Sequence, residues 1–163
     1  MNRNLVGASM LLLRLATGLV FIPHGYSKIF GEGGPATFAA DMPQFGIPAF
    51  LGYVAAYAEF FGGILLLLGL LTRIHAALLS IEMLTALAVL HIPEARFIEG
   101  EGASRILATI KELELPMMLA AAAATIALLG AGRVSLDALL RIDERIARVL
   151  SRNPLAAAVI EQR

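Results

Sequence analysis

Long apolar runs recur along the chain, separated by shorter polar stretches. Four runs approach the roughly 20 helical residues needed to cross a hydrocarbon core about 30 Å thick. They cover residues 5–22, 50–71, 74–92 and about 112–130. The second, FLGYVAAYAEFFGGILLLLGLL, contains a single charge, and the fourth includes LPMMLAAAAATIALLG, whose small side chains favour close helix contact. Pro116 is expected near the first turn of that fourth run, where a missing N–H matters least. The pattern predicts an all-α integral membrane fold: an antiparallel bundle of four transmembrane helices within residues 1–133.

The connections shape this bundle. Only Thr72 and Arg73 separate the second and third runs, so these two must form a tight hairpin. Residues 23–49 are rich in glycine and proline, with room for one short helix near residues 37–42. Residues 93–111 are polar, and Ser104 is placed to cap a short amphipathic helix. After Arg133 the pattern changes to VSLDALLRIDERIARVL. Leu139, Ile142, Ile146, Val149 and Leu150 fall on one side, and Asp137, Arg141, Glu144, Arg145 and Arg148 on the other. Residues 134–152 therefore read as an amphipathic helix on the membrane surface, or alternatively one packed on another protein, followed by a tail over residues 153–163.

The first run has a basic start, but Arg14 interrupts it and no small-residue cleavage pattern follows, so it reads as a retained transmembrane helix. Lysine and arginine fall eight against four on the two sides, which predicts cytoplasmic termini in a bacterial inner membrane.

Composition narrows the function classes. Hydrophobic residues make up 58% of the 163 and charged ones 16%, with a mean hydropathy of +0.78, too apolar for an ordinary soluble domain. Zero net charge provides no basic surface for nucleic acid. Without cysteine, the chain carries no disulfide, thiolate metal site or thiol redox chemistry of its own. Electron transfer would require a bound cofactor or a partner.

Three charges lie inside apolar runs: Arg14, Glu59 and Glu82. Left unpaired near a helix centre, each costs roughly 2.5–3.5 kcal/mol on the insertion scale. Counted from the expected outer helix ends at about 1.5 Å per residue, their depths agree within about 3 Å. This predicts an Arg14–Glu59 ion pair, with Glu82 protonated or sharing the guanidinium. Such a pair either fixes helix register alone or forms a polar centre that carries protons or orients a ligand. Gly62 and Gly63, one turn after Glu59, suit tight packing or a ligand against the helix.

A second polar group gathers at the opposite boundary: His24, Tyr26 and Lys28 after the first run, His91 at the end of the third, and Glu114 at the start of the fourth. Singly, each is an ordinary helix-end residue; together, at one level, they outline a site. His75 falls at the other end beside Arg73, where it snorkels or meets a headgroup. Histidine and carboxylate exchange protons near neutral pH, and an apolar groove suits an isoprenoid quinone whose carbonyls need donors. Haem ligation by the two histidines is disfavoured, since nothing in the spacing makes the rings converge. A metal held by His24, His91 and Glu114 has no ligand-spacing motif behind it.

The stretches RLATGLVFIPHGYSKIFG, FGIPAFLGYVAAYAEFFGGILLLLGLLTR, MLTALAVLHIP and ELELPMMLAAAAATIALLGAGRVSLD together resemble the DoxX family of small four-helix membrane proteins. The resemblance covers about residues 11–137 and rests on H-G-x-x-K, a mid-helix A-E-x-x-G-G and the L-T-R turn. It maps Arg14, His24, Gly25, Lys28, Glu59, Gly62 and Gly63 onto family motif positions, and likewise Thr72, Arg73, His91, Glu114 and Pro116. Glu82 has no clear counterpart. Relatives in that family include a small subunit of a thiosulfate:quinone oxidoreductase and a component of a complex linking thiol and superoxide defence.

The expected function is thus a non-autonomous, quinone-associated membrane subunit of an oxidoreductase system. Glu59, Arg14 and His91 are its candidate catalytic residues. His24, Lys28, Tyr26 and Glu114 are its candidate cofactor-binding residues. Membrane lipid, a lipophilic small molecule and a protein partner or second copy are the expected associates. A non-enzymatic scaffold with a purely structural ion pair is the competing class. A small transporter is a third, although no broken helices or inverted repeat support it.

Overall fold

In the computed structural model, which describes residues 3–95, 97–99 and 101–151, every regular element is helical. Helix α1 (Arg3–Phe30) leads into a short α2 (Gly34–Asp41) and a 3-10 turn (Met42–Phe45). Helix α3 (Ala49–Leu68) follows, then α4 (Thr72–Ala86), a π-helical turn (Leu87–His91) and α5 (Ile92–Ala95). Helix α6 (Gly102–Leu129) completes the bundle, and α7 (Leu136–Leu140) and α8 (Ile142–Ser151) close the described chain. Four helices, within Asn4–Phe30, Ala49–Leu68, Thr72–Ala95 and Gly102–Leu129, are long and apolar enough to cross a membrane. The protein is an all-α membrane protein.

The bundle is built from two antiparallel pairs, α1 with α3 and α4 with α6. Small residues set the first contact. A Cβ at Gly25 would fall 2.3 Å from the Phe60 backbone nitrogen, and one at Gly63 would fall 3.0 Å from the nitrogen of Ile22. Gly62 faces Leu79 of α4. The A-E-x-x-G-G glycines thus serve helix packing. In the second pair, Ala120 and Ala123 of α6 are buried near Ala76 and Leu79 of α4, and Ser80 Oγ donates to the Ala120 carbonyl at 3.0 Å. Small side chains let the backbones approach closely enough for that bond.

Several boundaries differ from the sequence pattern, each for a physical reason. Helix α1 does not stop at Ile22 but runs eight residues further, through Pro23, to Phe30. A proline inside a membrane helix is tolerated when neighbouring groups compensate. Pro23 leaves the Leu19 carbonyl without its helical donor, and just past it the His24 ring donates from Nδ1 to the Val20 carbonyl at 2.8 Å and Ser27 Oγ to the His24 carbonyl. Likewise, α6 begins at Gly102 and passes Pro116 without ending, so the polar stretch around Ser104 is its first turns and not a separate helix. Ser104 does not cap this helix; its hydroxyl donates to the Glu101 carbonyl. The amphipathic stretch, read as one helix, is two, broken at Arg141 with φ 52°. Residues 152–163, including the expected tail, lie outside the described residues.

The α3–α4 hairpin turns earlier than expected, at Gly69 (φ 67°) and Leu71 (φ 48°), and Thr72 already begins α4. The left-handed backbone of Leu71 is unusual for a branched apolar residue. Asp137 holds it, accepting from the Leu71 N–H at 2.7 Å and the Thr72 N–H at 2.9 Å. The cap of α4 is therefore supplied from 65 residues away, and the Asp137 N–H returns a bond to the Gly69 carbonyl.

Candidate functional site

Helices α3 and α4 meet where Gly62 packs on Leu79, and above this contact, away from the end where α1 starts and α6 finishes (the terminal end), lies a cavity of about 590 Å³. Its walls are mostly apolar, and every charged or imidazole group among its lining residues belongs to a short set: His24, Lys28, Glu59, Glu82 and His91. Val54, Leu78 and Ile81 line it while being more than half exposed, so the cavity opens sideways between α3 and α4 toward the space lipid occupies.

Glu59 is the buried anchor of this set. Lys28 Nζ lies 2.6 Å from Glu59 Oε2, and the same ammonium sits 4.5 Å from the ring centroid of Phe38 on α2. An ammonium against a buried carboxylate and an aromatic face is held without full hydration. Glu82 of α4 lines the same cavity as Glu59.

The two imidazoles sit differently. His24 lines the cavity and donates from Nδ1 to a backbone carbonyl, which in the neutral ring leaves Nε2 as an acceptor. His91 lines it too, and its Nδ1 lies 2.6 Å from Glu112 Oε1 on α6, an imidazole oriented by a carboxylate.

Several expected placements are corrected. Arg14 does not meet Glu59. It lies at the terminal end, where its guanidinium donates to the carbonyls of Ala131 and, at 2.9 Å, Val134, with the Asp137 carboxylate as counter-charge. The guanidinium lies against Gly69, ten residues along α3 from Glu59, or about 15 Å of helix. The expected depth match counted from Ile22, whereas α1 ends at Phe30, and the displaced end shifts the whole register. Glu114, expected among the cofactor-binding residues, is exposed and outside the cavity lining, and the carboxylate that meets His91 is Glu112. Tyr26 is 55% exposed and packs on Phe30 and Phe60, outside the cavity lining. Glu82, set aside by the family pattern, joins the site.

Two consequential residues, Glu112 and Asp137, escaped the sequence reading. Glu112 had a signal in being two residues from Glu114, but choosing between them requires the helix phase. Asp137 had none, since it falls among the charges of an amphipathic pattern. Arg73 closes the terminal end further: its guanidinium donates to the carbonyls of Ala127, Leu128 and Leu129, the otherwise unpartnered end of α6.

The chain is 40% identical to a putative oxidoreductase, CatD, of Bacillus subtilis over 77 residues, which is 47% of this chain and 55% of that protein. It is 39% identical to an uncharacterized protein of Haemophilus influenzae over 80 residues, 49% of this chain and 57% of that one. An uncharacterized membrane protein of Mycobacterium tuberculosis matches at 38% over 85 residues, half of each chain. The chain thus spans about half the length of the curated relatives it matches. No solved structure matches it significantly. The DoxX family model matches residues 9–92, a span running from α1 into α5 and holding His24, Lys28, Glu59, Glu82 and His91, and the chain belongs to the DoxX family.

Proposed function

We propose that the cavity binds a quinone or a similar lipophilic ring compound, and that the chain serves as a membrane subunit of a quinone-linked oxidoreductase system. The observation that carries this reading is one laterally open, apolar cavity of about 590 Å³ with an ammonium, two carboxyl groups and two imidazoles gathered in it. A size of that order fits a small-molecule ring, and a few convergent polar groups in an apolar pocket are the usual design of such sites. A quinone supplies two-electron, two-proton redox chemistry when bound, with electrons from a partner subunit.

The chain's residues would do the rest. Lys28 donates to a carbonyl oxygen while Glu59 keeps its charge compensated. Glu59 and Glu82, when protonated, can give a proton to a ligand oxygen and, as carboxylates, take one back. His24 and His91, through Nε2, accept from a hydroxyl or, once protonated, donate to a carbonyl. The apolar walls exclude water and admit a lipid-soluble molecule from the side. Arg14 has no part in this chemistry. The name of the Bacillus subtilis relative is compatible with an oxidoreductase system.

The same reading places the cavity end on the outer side of a bacterial cytoplasmic membrane, with both termini inside, following the lysine and arginine bias. The surface-lying role of α8, with exposed Ile146 and the basic residues around it, belongs to this proposal as well.

Quinone extraction and binding test it. Gently purified protein is expected to release quinone into organic solvent and to rebind a short-chain quinone saturably. Repeated extraction without quinone, together with no saturable binding, would sink the idea. A second reading, a membrane partner protein without a ligand, draws on the 2.6 Å Lys28–Glu59 pair, which satisfies itself as it stands. Loss of a partner complex's activity on deletion of this chain, with no quinone bound, would favour that reading.

A further inference from the structure

The geometry points to a divalent transition-metal site at the rim of the cavity, formed by His91, Glu94 and Glu112. One donor atom from each of the three side chains lies within 4.8 Å of the others. Ligand bonds from imidazole nitrogen and carboxylate oxygen to a cation such as Zn²⁺ are about 2.0–2.2 Å, so two ligands of one ion sit at most about 4 Å apart. Small side-chain rotations bring this set within that limit.

The backbone arranges the three from two directions. His91 ends the π-helical turn and Glu94 lies in α5 three residues on, so the two occupy one helix face. Isolated π turns inside α-helices recur at functional sites because they reposition side chains that a regular helix would not present. Glu112 approaches from α6, and its 2.6 Å contact with His91 Nδ1 shows that the two helices already hold these groups at ligand range. The site also has the right access. Glu94 is exposed, and the side chains of His91 and Glu112 are 30% and 36% exposed, so an aqueous ion reaches them without crossing the apolar cavity. Two carboxylates and a neutral imidazole carry two negative charges, matching a divalent cation. Bound there, the ion replaces the proton shared by His91 and Glu112. One nitrogen and two oxygens suit a borderline first-row ion, and three protein ligands leave a position for water.

Zinc titration of the full chain in lipid nanodiscs, after chelator treatment and with no quinone added, tests this site. One Zn²⁺ per chain is expected by calorimetry and elemental analysis. Affinity should fall at least tenfold in both His91→Ala and Glu112→Gln, and less in Glu94→Gln. Glu114→Gln removes the same charge from the same helix and should bind as the wild type does. Zinc should also raise the melting temperature of the wild type and not of His91→Ala, which checks in the same experiment that the variant is folded. Co²⁺ in place of Zn²⁺ should give a visible absorption band that is lost in His91→Ala. Absence of saturable zinc binding overturns the proposal, and so does binding that Glu114→Gln weakens as much as Glu112→Gln, which would make the effect one of general charge. If Glu112→Gln alone leaves binding intact, the three-ligand set is wrong and Glu112 only orients His91. Each readout is independent of quinone, so failure here and failure of the quinone reading are separately visible.

Discussion

The two ends of the bundle use buried charge in opposite ways. At the terminal end, Arg14, Arg73 and Asp137 are bonded to backbone: two guanidinium groups cover carbonyls of the α6–α7 region, and one carboxylate caps α4. At the cavity end, Lys28 pairs with Glu59 and His91 with Glu112, and Lys28, Glu59, Glu82 and His91 all face a space. A charge tied to backbone groups has no freedom left for chemistry, whereas charges tied to each other can exchange one partner for a ligand. Hydropathy treats both ends alike, so buried charge by itself says nothing about which role it has.

The sharpest way to break this comparison is at Asp137. Asp137→Ala removes two N–H caps, leaves the left-handed Leu71 unsupported, and strips Arg14, itself 1% exposed, of its counter-charge. Loss of one partner from a buried charged network typically costs about 3–5 kcal/mol. A large drop in melting temperature in detergent is expected, and an unchanged one would show that the terminal knot is not structural.

Next comes packing beside the cavity. Gly25→Ala places a Cβ against the Phe60 backbone, where no flexible side chain can give way. Overpacking of this kind costs about 1–3 kcal/mol. Thermal melting should register it, with the α1–α3 separation read by a spin-label pair.

Glu59→Gln should show the opposite balance. Stability should fall less than in Asp137→Ala, because the side chain of Lys28 is 23% exposed and can turn to water. Affinity for a short-chain quinone should fall at least tenfold, about 1.4 kcal/mol. A melting loss equal to that of Asp137→Ala, with quinone affinity intact, would make the two ends equivalent after all.

The smallest effect is expected at Tyr26. It packs on Phe30 and Phe60 outside the lining, so Tyr26→Phe should leave quinone affinity unchanged and stability within about 0.5 kcal/mol. A clear loss of binding would move the site outward. Orientation has its own test. The chain has no cysteine, so a single cysteine introduced at position 33 should be labelled from outside without permeabilisation, and labelling only after permeabilisation would invert the bundle.

How much of this was legible varied with how local the question was. Arg14, Glu59 and Glu82 stand out in apolar runs, and His24, Lys28 and His91 stand out at their ends. Their partners did not stand out. Ending the first helix at Ile22 misplaced Arg14 by eight residues, about 12 Å of rise, and so paired it with the wrong carboxylate. Glu112 and Glu114 differ by about 200° around α6, and no pattern in the polar start of that helix reveals its phase. Asp137 looked like one more solvent-facing charge, and only the fold brings its carboxylate to the Leu71 and Thr72 N–H groups.

The chain by itself determined its solvent, its four spanning helices and the presence of charges that had to find partners, because segment length and hydropathy are sums over neighbouring residues. Only the tertiary structure decided that Arg14 turns to backbone, that Lys28 meets Glu59, and that His91 meets Glu112. Those outcomes depend on axial offset and rotation between helices, and a shift of one residue moves a side chain about 1.5 Å and 100°, enough to exchange one partner for another.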